Sequence, residues 1–190
     1  MKDYEKNPDR QVMTMKTIYI LLTRSDTLLS KLVQLFTADP YTHASISFDE
    51  GLQPLYSSAR KNGETMFPAG PCTEVFHRGF YYNHRNIPCA LYELTVPEDV
   101  YETARSEAQQ FARNSDQYSF NILGLILCNM GIPFHRKYKY FCSQFVAEIL
   151  DRSRAIELPK DTSLMKPMDY TRLPQLRCRF QGLLRDLVAV

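Results

Sequence analysis

The sequence lacks several features by which whole classes of protein are recognised. It has no Trp among its 190 residues, and its formal net charge is only +2. Domains that bind nucleic acid usually carry a strong excess of Lys and Arg, so this charge argues against such a partner. No apolar run reaches the roughly 20 residues that span a bilayer, so we expect no integral membrane segment. There is also no Gly-rich phosphate loop, which argues against a nucleotide-dependent enzyme.

The cysteines are few, and their spacing is not that of a disulfide framework or a zinc site. Their number is odd and no two are spaced as CxxC. The five are Cys72, Cys89, Cys128, Cys142 and Cys178. Residues 1–16 are polar and lack the apolar stretch of a signal peptide. We therefore expect a cytoplasmic protein in a reducing compartment, with neither a metal nor another cofactor.

What the chain has in quantity is ordinary core material. Hydrophobic residues make up 44% of it and charged residues 23%, which is the balance of a globular protein. Its length suits one domain. We expect residues 1–15 to be a flexible leader and residues 16–190 to form the domain. The oligomeric state stays open.

Hydrophobic patterning predicts both strands and helices. Strands are predicted at 16–23, 43–48, 55–61, 89–96 and near 178–184. Helices are predicted at 25–37, from Pro97, at 119–130 and at 142–152. Residues 62–86 show no clear period and are interpreted as loop and short strand; whether they form a lid stays open. The fold class is therefore α+β, a central antiparallel sheet with packed helices and one helix buried at its edge.

Cys142 is the strongest candidate for chemistry. It begins an amphipathic segment, FCSQFVAEIL, and a helix N-terminus offers free N–H groups that lower the pKa of a thiol. A thiolate is the form that attacks a carbonyl carbon. The alternative is a structural cysteine, because Cys142, Val146 and Ile149 share one helical face.

His43 is the candidate base. It lies on a strand with Ser45 and Ser47 on its own face, and these small neighbours allow the end of a helix to approach the imidazole. The alternative is a histidine that faces solvent. His77, His84 and His135 lie in loop-like segments and are weaker candidates.

The pair resembles the active site of a known family. A histidine on an early strand, in THASISFD, and a cysteine opening a late helix, in YFCSQFVAEIL, resemble the circularly permuted branch of the NlpC/P60-type, papain-like cysteine peptidases and amidases (YiiX-like). The likeness covers about 16–174. It implies a permuted papain-like fold, with Cys142 as nucleophile and His43 as base.

The resemblance also implies a polar residue that orients the imidazole from the strand after the histidine strand. The usual His, Glu, Asn or Gln is absent there. Ser57 is the first choice and Ser58 the second, although a serine gives an imidazolium no charge stabilisation. The backbone N–H of Cys142 is the expected oxyanion donor, and the hydroxyl of Tyr138 or Tyr140 is a further candidate.

These observations predict a cysteine hydrolase that cleaves a peptide or isopeptide amide through a thioester on Cys142. Lipid or thioester acyl transfer on the same dyad is the first alternative, and the apolar segment 119–130 suits it. A catalytically silent binding module is the second. A thiol redox sensor would need a second cysteine near Cys142 in space.

Overall fold

A computed structural model of the chain describes residues 13–24, 39–60 and 69–187. Its six strands are β1 (Met15–Thr23), β2 (His43–Ser47), β3 (Leu55–Arg60), β4 (Ala69–Glu74), β5 (Pro88–Pro97) and β6 (Arg177–Leu183). Its α-helices are α1 (Gly79–Asn83), α2 (Glu98–Arg113), α3 (Ile122–Asn129), α4 (Cys142–Arg152) and α5 (Leu184–Leu187). Three short 3-10 turns lie at Ser115–Gln117, Thr162–Leu164 and Pro167–Arg172. The α+β class is confirmed.

The six strands form one antiparallel sheet in the order β4-β3-β2-β1-β5-β6. The central strand β1 is apolar and buried on both faces, as its unbroken run KTIYILLT predicts. It pairs with β2 on one side and, over its full length, with β5 on the other. Strand β3 pairs with β4 over six residue pairs, whereas it pairs with β2 at Tyr56, opposite Ile46.

Each face of the sheet carries its own core. On one face, helices α2 and α4 pack against the strands through Phe111, Phe145, Ile149 and their neighbours. On the other face, a smaller core includes Leu21, Tyr81 and Leu91. Burying each such side chain contributes about 1.5–3 kcal/mol before the entropy of ordering the chain is subtracted.

Helix α4 lies against β2 and β3, which are interior strands, and so does not lie at the edge of the sheet as the sequence suggested. Eight of its residues are buried, among them Phe145, Val146 and Leu150. The reason is that this segment is apolar on more than one face, which suits contact with the sheet on one side and the 3-10 turns on another.

Most predicted elements are present, with shifted ends. The strand predicted at 55–61 ends at Arg60, and the predicted apolar helix at 119–130 begins only at Ile122, because the Asn121 side chain accepts a hydrogen bond from the Gly124 N–H and caps it. Strand β1 already begins at Met15, within the expected leader. The predicted helix at 25–37 and residues 61–68 lie outside the described residues. No helix in the described part of the chain is long and apolar enough to cross a membrane.

Candidate active site

Cys142 is the first residue of α4, directly after the N-cap Phe141. Its side chain is buried, with 7% of the residue exposed. The sulfur lies against the start of β2: it is 3.9 Å from the carbonyl oxygen of Thr42, and the backbone N–H groups of Ala44 and Ser143 lower the pKa of the thiol. Two free N–H groups directed at one sulfur favour the thiolate.

The N-terminus of α4 can approach the start of β2 from the side of β3. Strand β2 pairs with β3 at Ile46, three residues beyond His43, whereas His43 itself pairs with β1. The N–H of Ala44 therefore serves the sulfur of Cys142. Strand β3 also contacts the residues before α4, because the Ser58 hydroxyl donates to the carbonyl of Tyr140 at 2.7 Å.

His43 is the side-chain partner of the thiol. The imidazole and the Cys142 side chain interact: the thiol raises the pKa of the imidazole and the imidazole lowers that of the thiol. Its Nε2 lies 3.2 Å from Oε2 of Glu74. Because Nε2 serves the carboxylate, Nδ1 is the ring nitrogen left for the sulfur. The imidazole thus bridges an acid and a thiol, which is the arrangement of an oriented general base.

Glu74, the last residue of β4, supplies the carboxylate of this chain of contacts. Its side chain is 15% exposed and that of His43 is 13% exposed, so water screens their attraction only weakly. The hydroxyl of Ser45 donates to the same carboxylate oxygen at 3.0 Å and lies 3.2 Å from Nε2 of His43. A buried carboxylate with several donors is held ionised and in one orientation.

The hydrogen bonds continue from Ser45 into the smaller core of the sheet, which includes Tyr81. The Tyr81 hydroxyl lies 3.4 Å from the Ser45 oxygen. Because the Ser45 proton is used on Glu74, the Tyr81 hydroxyl is the donor of this bond. Tyr81 is almost fully buried and packs on Phe76 and Phe80. The network is therefore anchored by helix α1, which the sequence did not predict.

The three ionisable groups shift one another toward charged forms. Burial lowers the pKa of His43, but the Glu74 charge and the bonds to Cys142 and Glu74 outweigh it and raise that pKa to about 10. Burial raises the pKa of Cys142, but the hydrogen bond and charge of His43 and the two backbone donors bring it below its ordinary value. Burial raises the pKa of Glu74, and the charge of His43 with three side-chain hydrogen bonds more than reverses this. All three directions favour a thiolate–imidazolium pair beside a carboxylate.

The structure gives the two serines roles that differ from those expected. The Ser57 hydroxyl lies 3.8 Å from the sulfur of Cys72 and helps to lower the pKa of Glu74. Ser58 faces the other way and holds the Tyr140 carbonyl. The group that orients His43 is thus Glu74, one strand further along, and Ser57 supports that carboxylate.

Neither tyrosine named as an oxyanion candidate directs its hydroxyl to the thiol. The Tyr140 hydroxyl accepts from Arg152 at 3.2 Å, and its ring packs on Phe111. Tyr138 is 43% exposed, packs edge-on against Tyr118 and lies beneath the Nζ of Lys137. The oxyanion role of these two hydroxyls stays a prediction.

Sequence reasoning missed Glu74 because residues 62–86 show no clear hydrophobic period. One signal was available. Glu64 and Glu74 are the carboxylate residues between Gly51 and Tyr92, and Glu74 lies in the otherwise uncharged run AGPCTEVF. A carboxylate in such a run needs a buried partner. Among the described residues, no three His, Cys, Asp or Glu side chains are grouped as metal ligands.

Comparison with protein-family models finds no family that matches this sequence. A search of curated proteins likewise finds no match. The chemistry of the site must therefore be argued from its own geometry.

Proposed function

We propose that this protein is a cysteine hydrolase that cleaves an amide bond, with Cys142 as nucleophile, His43 as base and Glu74 as the orienting carboxylate. The observation that carries the proposal is the Glu74 carboxylate held 3.2 Å from Nε2 of His43, whose imidazole in turn lowers the pKa of a thiol at a helix N-terminus. Structural cysteines have no need of a charged partner, whereas a nucleophilic thiol does.

In the proposed reaction the Cys142 thiolate attacks the carbonyl carbon of the substrate, forming a C–S bond and an oxyanion. The intermediate collapses and breaks the C–N bond, and the imidazolium of His43 gives its proton to the leaving amine. Water then attacks the thioester while His43 takes a proton from it. Breakage of the C–S bond releases a carboxylic acid and regenerates the thiolate–imidazolium pair.

The oxyanion would form beside the first turn of α4. The backbone N–H of Cys142 has no acceptor within the helix at this position. It is therefore the first donor that we assign to the oxyanion, and the partial positive charge of the helix N-terminus adds to it. The N–H of Ser143, which serves the thiolate in the resting state, is the next donor along the turn.

The family assignment is part of the same proposal. The order of the residues, with the histidine 99 positions before the cysteine in sequence, resembles the permuted papain-like branch of the NlpC/P60 peptidases and amidases. The antiparallel sheet, with the nucleophile at the start of a helix packed on it, is compatible with that fold. Glu74 also removes the feature that favoured a silent binding module, namely the lack of a carboxylate partner for His43.

Acyl transfer on the same dyad is the second candidate function. A specific observation favours it: an apolar groove lies next to Phe141, the residue before the nucleophile. If an acyl chain occupies that groove, a second acceptor in place of water would resolve the thioester. Hydrolysis and transfer share the first half-reaction, so one experiment tests both.

That experiment is acylation by p-nitrophenyl acetate, followed by the release of p-nitrophenolate and by intact mass. We expect a burst of product and an acetyl group on Cys142 in the wild-type protein, and neither in Cys142→Ala. A Cys178→Ala variant is the matched control, because Cys178 is exposed on β6 away from the pair. Acetylation that persists in Cys142→Ala and is lost in Cys178→Ala would refute the assignment.

A further inference from the structure

An open groove beside helix α3 has properties that the dyad does not explain. Its volume is about 1020 Å³, which is at the upper end of the range for small-molecule sites. Ile122, Leu123 and Ile126 of α3 form one wall, and Phe120 and Ala69 lie at its floor. The lining is therefore mainly aliphatic and aromatic.

The sequence of α3 explains why this wall is apolar. The helix reads ILGLILCN, with no charged residue, yet Gly124 and Cys128 are the residues that it buries fully. A helix that is apolar on all sides is normally enclosed. Here Leu123 is 45% exposed. Exposed apolar surface of this kind marks a binding site more often than chance.

Two cations stand together on the rim of the groove. Arg136 and Lys139 both line it, and they face each other across a one-pair antiparallel bridge in which the N–H of Lys139 donates to the carbonyl of Arg136. In the described part of the chain neither forms an ion pair with a carboxylate. Asp116 also lines the groove and already has an interaction partner. Neighbouring like charges repel, and an anion between them would relieve this.

The groove adjoins the start of the nucleophile helix. Its floor residues Ala69 and Phe120 form one buried cluster with Phe141, which precedes Cys142. The N–H of Phe120 donates to the carbonyl of Ala69, and the N–H of Tyr140 donates to the carbonyl of Ser119. The wall, the rim and the helix start are thus held together by backbone hydrogen bonds.

We propose that this groove binds a single-chain anionic amphiphile, with the apolar chain along α3 and the anionic head group between Arg136 and Lys139. The complementarity is twofold: aliphatic wall to hydrocarbon, and paired cations to an anion. The inference rests on the groove alone and does not require Cys142 to be catalytic.

The test is isothermal titration of dodecyl phosphate, below its micelle concentration, into the full chain carrying Cys142→Ala. The Arg136→Glu and Lys139→Glu variants should each bind about tenfold more weakly or worse. Lys137→Glu is the matched control: it changes the same charge in the same segment, but Lys137 lies over Tyr138 and does not line the groove. Its affinity should stay within about twofold of the parent.

A second pair of variants tests whether the hydrocarbon chain of the ligand lies along α3. Leu123→Asp should abolish binding because it charges the apolar wall. Met130→Asp places the same charge just beyond the same helix, at a residue that is 65% exposed and outside the lining, and should leave binding intact. Circular dichroism of each variant separates lost binding from lost folding.

Three ligands complete the experiment. Inorganic phosphate alone should bind far more weakly than dodecyl phosphate, and dodecyltrimethylammonium should bind at least about tenfold more weakly because its head group has the wrong charge. The proposal is overturned if dodecyl phosphate does not bind, if the cationic amphiphile binds equally well, or if the Arg136, Lys139 and Leu123 variants match their controls. Because Cys142 is absent from the protein used, failure here says nothing against the dyad.

Discussion

Glu74 places a carboxylate oxygen 3.2 Å from Nε2 of His43, across 31 residues of sequence and with β3 between their two strands in the sheet. Both side chains are almost buried, so the pair interacts in a medium of lower dielectric constant than water. This contact raises the pKa of the imidazole, and the imidazole in turn lowers the pKa of the Cys142 thiol.

Replacing Glu74 by Gln should slow acylation of Cys142 by p-nitrophenyl acetate by about 10²-fold or more. The amide keeps the shape of the side chain but removes the charge that holds His43 protonated. Glu50→Gln is the matched control, because Glu50 is an exposed carboxylate that pairs with Arg179 outside the site. Equal burst rates in Glu74→Gln and wild type would show that the carboxylate does not serve the dyad.

Ser57→Ala and Ser58→Ala should have different effects: the first should change the pKa of Glu74, and the second should change the stability of the fold. Ser58→Ala removes the 2.7 Å bond to the Tyr140 carbonyl and should lower the free energy of unfolding by about 1–2 kcal/mol. Ser57→Ala removes a donor to Glu74 and should raise the pKa of that carboxyl. Urea unfolding measures the first effect, and NMR titration of the labelled Glu74 carboxyl measures the second. The account of Ser57 fails if its removal leaves the Glu74 titration unchanged.

Ser143→Ala should stabilise the protein or leave its stability unchanged, although the residue adjoins the nucleophile. Within the described structure the Ser143 hydroxyl is buried and makes no hydrogen bond. An unsatisfied buried hydroxyl costs about 1–3 kcal/mol, and Ala removes it without enlarging the side chain. Thermal unfolding measures the effect. A loss of more than about 1 kcal/mol would mean that the hydroxyl has a partner.

The ionised Glu74 should make stability fall in acid. Its folded pKa lies below its ordinary value, so its contribution is present above about pH 4.5 and is lost as the pH falls through the folded value. We expect the difference in unfolding free energy between Cys142→Ala and Cys142→Ala/Glu74→Gln to grow between pH 3 and pH 5. Its slope should not exceed about 1.4 kcal/mol per pH unit, the limit for one proton. Urea unfolding at several pH values tests this; a difference independent of pH would contradict it.

The parts of the fold that the sequence predicts well are those with strong local signals. The β-branched, apolar run at 16–23 and the run at 89–96 become β1 and β5 with ends shifted by one residue. Helix α4 begins at Cys142 as its amphipathic pattern predicts. In each case the local preference and the burial that the fold imposes agree.

The parts that it does not predict depend on tertiary contact. Glu74 becomes the partner of His43 only because β4 pairs with β3 and β3 with β2. Helix α1 has five residues, too few for a periodic signal, yet it carries the Tyr81 hydroxyl to Ser45. The sequence places Ser57 on the strand after that of His43, but it does not show that β4 brings a carboxylate to the imidazole.

The rate of iodoacetamide alkylation at Cys142 across pH, followed by mass at each cysteine in wild type, His43→Ala and Glu74→Gln, decides whether the thiolate–imidazolium pair exists. We expect wild-type Cys142 to react with an apparent pKa below the usual value of about 8.5. His43→Ala should abolish this shift and Glu74→Gln should reduce it. Cys89, whose pKa burial raises to about 12, should stay unreactive in all three proteins. If Cys142 titrates at the usual value, or if its reactivity is the same in all three proteins, the thiolate–imidazolium pair does not exist.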